Sequence, residues 1–105
     1  MKKATERKIL LAIAEGDPHH FKAVEIASAL GVSRAWVSAE VKNFIKAGLF
    51  VETSGKTLSL SVKGEKEMAD LIVKYQKLSS AMASEFRLSP REARRLARSL
   101  LEGTY

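Results

Sequence analysis

Three cations and one amide fall within the stretch "RAWVSAEVKNFIK", residues 34–46: Arg34, Lys42, Asn43 and Lys46. Set out at about 100° per residue, Ala35, Ala39, Lys42, Asn43 and Lys46 share one side. Trp36 and Ser38 stand at its margins. Val37, Val41, Phe44 and Ile45 centre on the opposite side and are expected to be buried. The chemistry such an outer face offers is non-covalent. Ammonium groups neutralise phosphates and release their counterions, and an asparagine amide matches the donor and acceptor edge of adenine. Small alanines let the backbone come close to the bases. Arg34 follows Ser33 in the first turn, where a recognition helix commonly meets base edges. Each residue also has a plainer reading as part of a solvated helix face, with Glu40 the only acid nearby. Trp36 either packs on sugar or a thymine methyl, or covers the core as a partly buried aromatic.

Other chemistries have little to work with. The chain has no cysteine, which removes disulfides, thiolate metal sites and a cysteine nucleophile. Its two histidines, His19 and His20, are adjacent in one loop beside Asp17. They could turn together to one ion, although such a pair is usually just solvated. No paired-carboxylate site, glycine-rich phosphate loop or nucleophile with a nearby base can be argued, so an enzyme is not expected.

The 105 residues suit one domain with a modest core. Lysine and arginine outnumber aspartate and glutamate by 18 to 12, a net charge of +6 that favours an anionic partner. The basic start "MKKATERK" is not followed by the apolar run a secretory signal needs, and no stretch is apolar enough to span a membrane. A cytoplasmic protein is expected.

The elements that must hold the cationic face follow from periodicity and breakers. Residues 5–15 place Ile9, Leu10, Ala12 and Ile13 on one helical face, with Gly16 as a stop. "GDPHHF" reads as a loop. Residues 22–30 form a second helix with Val24, Ala27 and Leu30 on its stripe and Ile26 flanking, closed by Gly31 in a left-handed conformation. Ser33 caps a third helix that runs to about Ala47 and stops at Gly48. "LFVET" and "TLSLSV" read as strands joined by a tight turn at Gly55. A long helix, about 65–86, carries Met68, Leu71, Ile72, Tyr75, Leu78 and Met82. In the final helix Ser89 is the N-cap, Pro90 the first residue and Glu92 the partner of a capping box, with Gly103 as the stop.

Ala27, Gly31 and Val37 have the spacing of a helix-turn-helix. A small residue fits where two helices nearly touch, a glycine where the turn goes left-handed, and an apolar residue where the second helix docks. The hairpin after "AGLF" stands where a wing belongs, and Lys56 at its tip is either a phosphate or minor-groove contact or a solvated lysine. The expected fold is therefore mainly α with a small β-hairpin: a winged helix-turn-helix (residues 1–63) followed by two C-terminal dimerisation helices (residues 64–105) in the same single domain. The recognition helix spans about 33–47 and the wing 53–57. In the last helix Ala93, Leu96, Ala97, Leu100 and Leu101 share one face, and Arg91, Arg94, Arg95 and Arg98 the other. The apolar surface of these helices suits intrachain packing plus a symmetric seam, with Met68, Ile72, Tyr75, Met82, Phe86, Leu96 and Leu100 as its expected residues. The arginine face is solvated, contacts phosphate, or meets an acidic partner.

"VSAEVKNFIKAGLFVE", "LSVKGEKEMADLIVKYQKL" and "RLSPREARRLARSLLE" resemble, over roughly residues 20–102, the iron-dependent repressors of the diphtheria-toxin-repressor type. The resemblance implies a homodimer on a palindromic operator, with a metal as co-repressor. The family's metal ligands are missing. It places a histidine where this chain has Gln76 and a glutamate where Ser80 stands. In the last helix it places histidine, cysteine or glutamate and an acid–histidine pair, against Arg94, Arg98, Leu101 and Glu102 here. Cationic arginines repel a divalent ion, so neither a regulatory metal nor another cofactor is expected. The resulting expectation is a homodimeric transcriptional regulator that binds double-stranded DNA. The alternative is an architectural, non-specific DNA-binding protein or a winged-helix protein-interaction module.

Overall fold

The computed structural model describes residues 3–102. Five helices and a small sheet follow in the order α1 (Lys3–Ala14), β1 (Phe21–Lys22), α2 (Ala23–Leu30), α3 (Arg34–Lys46), β2 (Phe50–Glu52), β3 (Thr57–Leu60), α4 (Val62–Glu85) and α5 (Pro90–Glu102). Gly103 lies outside the described residues. The first six elements make a three-helix unit with a wing, and α4 and α5 form a helical hairpin that also packs on α1.

The helix-turn-helix forms for the reasons its residues suggest. Gly31 adopts φ 66° and ψ 35°, and the Val32 N–H donates to the Ala27 carbonyl at 3.1 Å, closing α2 without a cost that a Cβ would impose. Ala27 and Val37 are both buried in the main core. The stripe of α2 is centred on Ile26 and Ala27, while Val24, expected on it, is exposed. Ala23, Ile26, Ala27 and Leu30 follow the i, i+3, i+4, i+7 spacing that one helical face requires, and that spacing leaves Val24 outside.

The sheet has three strands where two were expected. Phe21 and Lys22, read as the end of a loop, pair antiparallel with Leu58 and Thr57. Two residues are too few to show a period-2 pattern. The strand order is β1-β3-β2, so β3 is central. All four of its residues are buried, including Thr57 and Ser59 on the polar side of its alternation. Phe50 of β2 ties the sheet to the helices. Its ring lies 5.0 Å from Phe21, edge-on, and 4.5 Å from Phe44 of α3.

The long helix begins at Val62, three residues earlier than its periodicity predicts, because Ser61 acts as N-cap and accepts from the Gly64 N–H at 3.0 Å. Gly64 sits against the chain just after α3, where a Cβ would overlap the Leu49 carbonyl oxygen. A second apolar cluster lies between α4 and α5, with Met82, Ala93 and Ala97 buried and Tyr75, Leu78 and Leu96 packed around them. Ser89 caps α5 by accepting from the Glu92 N–H at 3.2 Å, and its hydroxyl donates to the Glu92 carboxylate at 2.9 Å. Half of the expected capping box is therefore formed: the Glu92 carboxylate meets the Ser89 hydroxyl and not its backbone N–H.

Candidate nucleic-acid interface

Ser33 opens α3 by accepting from the Trp36 N–H at 3.1 Å. This fixes the rotational setting of the helix at the turn where Arg34 projects. Val37, Val41 and Phe44 then anchor α3 in the main core. Ile45, expected beside them, is 38% exposed. It lies one residue past Phe44, about 100° around the helix, and α3 buries a narrower stripe than four residues need.

On the outer side, Ser33, Arg34, Ala35, Ser38, Ala39, Lys42, Asn43 and Lys46 are all exposed. Among the described residues, no hydrogen bond or ion pair engages the side chains of Arg34, Lys42, Asn43 or Lys46. Cations held only by solvent can neutralise phosphates without first breaking an internal pair. Trp36 is half-buried and packs against the main core, so much of its ring supports the helix from within. Glu40 is half-buried, with one carboxylate oxygen enclosed and without a partner.

The wing stands beside this face. Its turn is closed by the Thr57 N–H donating to the Ser54 carbonyl at 3.0 Å. Gly55 takes φ 59°, which presents exposed Lys56 at the tip. Two contacts absent from the sequence reading fix α3 against α4. Lys63 Nζ donates to the Ala47 carbonyl at 2.9 Å, at the negative end of α3. The Ser61 hydroxyl donates to the Gly48 carbonyl. Only proximity in sequence to the wing hinted at either.

The histidine loop is less promising. The His19 N–H donates to Asp17 at 2.9 Å, and Nδ1 of His19 lies 3.3 Å from Glu65. His20 is exposed. Among the described residues no group of three metal-ligating side chains converges.

The seven residues expected at a seam are dispersed. Met82 is buried between α4 and α5, Leu96 packs on it, and Met68 packs on the main core. Ile72 and Tyr75 line a cleft between α1 and the hairpin. Phe86 and Leu100 face outward, 66% and 40% exposed.

The same cleft gathers Gln76, Ser80, Arg94 and Arg98, four of the six positions compared above with the metal ligands of the iron-dependent repressors; Leu101 and Glu102 do not line it. An amide, a hydroxyl and two guanidinium groups do not suit a divalent cation. Arg98 bridges Glu15 and Glu102, the latter at 3.1 Å. Burial alone would lower its pKa, but the hydrogen bonds and charges of those carboxylates raise it above the ordinary arginine value.

No protein-family model matches the chain, and neither does any curated protein. Solved structures do. A protein of Pseudomonas aeruginosa PA01 assigned as a transcriptional regulator shares 22% identity, with a TM-score of 0.65 over 76% of this chain. Staphylococcus aureus MarR, solved in complex with salicylate and kanamycin, shares 24% identity, with a TM-score of 0.68 over 81% of this chain. The fold is a winged helix. At these identities the likeness is one of fold. This winged helix spans 58% and 59% of the lengths of the two chains. Neither is named as an iron-dependent repressor, so the resemblance to that family narrows here to the winged-helix plan.

Proposed function

We propose that this winged helix is a DNA-binding transcriptional regulator that acts as a homodimer without a regulatory metal. The observation that carries the reading is the outer face of α3, where Arg34, Lys42, Asn43 and Lys46 are exposed and without partners among the described residues. Under this reading Lys42 and Lys46 hold phosphates, and Arg34 and Asn43 reach base edges in the major groove. Ser33, Ala35, Ser38 and Ala39 allow close approach, Trp36 stands at the margin, and Lys56 of the wing touches the backbone or minor groove.

Residues 1–63 serve as the reading region and residues 64–105 as the dimerisation region, with Phe86 and Leu100 offering the outward apolar surface for a seam. A dimer doubles the contact and requires two half-sites about one duplex turn apart. Two structures of the same fold named as a transcriptional regulator and as MarR support the reading. A regulator of this kind works in the cytoplasm, and among the described residues no helix is long and apolar enough to cross a membrane. The metal-independent reading is supported by the groups at Gln76, Ser80, Arg94 and Arg98, which are unsuited to iron.

Selection of bound sequences from a random duplex pool, with and without added divalent metal, tests this. One enriched palindrome, the same in both arms, is the expected result. No enrichment would favour an architectural DNA coat or a protein-interaction module. Stoichiometric tight binding of iron, manganese, zinc or nickel in equilibrium dialysis would overturn metal independence.

A further inference from the structure

We propose that the exposed arginines at the start of α5 form a second duplex-DNA contact, seated on the phosphate backbone, independent of base sequence and separate from the outer face of α3. Five of the chain's seven arginines lie in residues 87–98, a segment without a lysine. Arg87, Arg91, Arg94 and Arg95 are exposed, and among the described residues no hydrogen bond or ion pair engages their side chains. On α5, Arg91, Arg94 and Arg95 fall within about 100° of arc, on the side away from buried Ala93 and Ala97. Arg98, further along, is taken up by Glu15 and Glu102. The one acid of the segment, Glu92, is turned to the Ser89 hydroxyl.

Local stability does not account for these cations. Arg91 stands in the first turn, where the helix end is itself positive and favours acids. Arg87 takes φ 53°, a left-handed setting that glycine or asparagine adopts at less cost. A guanidinium fork matches phosphate oxygens bidentately and is more weakly hydrated than an ammonium group. No apolar side chain stands among Arg91, Arg94 and Arg95, so this face lacks the anchor found at the centre of a protein interface. The apolar face of α5 is packed on α4, which leaves a membrane only Phe86 to take up at this end. A phosphate backbone needs neither. The face is also far from α3, because α4 runs 24 residues, about 36 Å, from its joint with α3 to Arg87. Leu100 stands about 180° around α5 from Arg91, so a seam there leaves the arginines open. The choice of DNA as the polyanion rests on the reading above, in which α3 already brings the chain to a duplex.

Fluorescence anisotropy on a random-sequence duplex over a salt series tests this with the parent chain, an α3 variant (Arg34→Ala, Lys42→Ala, Lys46→Ala), an α5 variant (Arg91→Gln, Arg94→Gln, Arg95→Gln) and their combination. The α5 variant should flatten the slope of log K against log salt by about 2.7, about 0.9 for each arginine. Its charge-preserving counterpart (Arg91→Lys, Arg94→Lys, Arg95→Lys) should keep the parent slope. The α3 variant should retain weak binding that the combination loses. The three arginines are exposed, so circular dichroism of the variants should match the parent chain, and Arg95→Gln alone should still flatten the slope by about 0.9. An unchanged slope in both the α5 variant and Arg95→Gln would overturn the proposal, whatever the α3 variant does. An effect of the α5 changes with none from the α3 changes would overturn the regulator reading and leave this contact standing. Poly-glutamate or phosphatidylserine vesicles that displace duplex from the α3 variant as well as unlabelled duplex does, at equal charge, would assign the face to an acidic peptide or a membrane and overturn the proposal too.

Discussion

Lys42 and Asn43 are adjacent, exposed and equally free of internal contacts, yet the proposed reading gives them separable work. A lysine on phosphate contributes to every sequence alike. Lys42→Ala should therefore weaken operator and random duplex together, and flatten the slope of log K against log salt by about 0.9, as measured by fluorescence anisotropy over a salt series. An asparagine on adenine contributes at one base pair. Asn43→Ala should cost about 1–3 kcal/mol on the preferred sequence, lose the preference at that position, and leave the salt slope unchanged. Both residues could be placed on the outer face from spacing alone. Ile45 and Trp36 could not be placed so well. Each lies at the edge of the buried stripe, where its environment depends on what packs beside α3 and not on the helix's own period.

At the level of elements, the joint between α3, the wing and α4 holds the outer face of α3 in place. Gly64 is its tightest point. Alanine there would gain up to about 1 kcal/mol of helix propensity, but its Cβ would meet the Leu49 carbonyl oxygen. Backbone cannot yield as a side-chain tip does, so overpacking of about 1–3 kcal/mol wins. Gly64→Ala should lower the urea midpoint, with an unchanged m-value. The other joint is the clasp of α5 on α1, where Arg98 bridges Glu15 and Glu102 and Arg7 Nη1 donates to the Leu101 carbonyl at 3.5 Å. The Glu102 side chain is only 13% exposed. Arg98→Met would leave it without its guanidinium, a loss of about 1–3 kcal/mol. Because the Arg98 pKa is raised, its contribution is fully present below the ordinary arginine value and is lost only as pH rises through the higher folded value. As far as the arginine's own titration goes, the Arg98→Met deficit should be the same at about pH 6 and pH 9 in denaturant melts. Neither joint could be read in advance. A glycine inside a helix and an arginine on a charged face have many uses, and their partners lie far away in sequence.

For the whole molecule, the outward apolar residues at the far end bear on assembly. Phe86 is 66% exposed at the end of α4, and Leu100 is 40% exposed on α5. Exposed residues contribute little to the fold of one chain, within about 0.5 kcal/mol, but they can decide association. Phe86→Glu combined with Leu100→Glu should turn a dimer into a monomer in sedimentation velocity, with little change in thermal midpoint at high dilution. Operator affinity should fall with it, because one reading helix cannot span two half-sites. Wild-type monomer at micromolar concentration would remove the seam and the palindrome together. Helical period marks the seven seam candidates as apolar faces without telling a neighbouring helix from a second copy. Folding assigned Met82 and Leu96 to the α4–α5 hairpin and Met68 to the main core.

Short-range chemistry was enough to determine the helices, the Ser33 and Ser89 caps, the left-handed Gly31 turn and the outer face of α3. Each of these depends on residues within about one or two turns of one another, and a sequence displays such neighbours directly. The rest was settled by tertiary structure. It made Phe21 and Lys22 a third strand, which put β3 at the centre of the sheet with both its edges paired. It set Gly64 against Leu49. It also brought Gln76, Ser80, Arg94 and Arg98 to one cleft with Leu11 and Glu15, joining side chains from three helices. Such juxtapositions arise from packing between distant segments, which local periodicity does not encode.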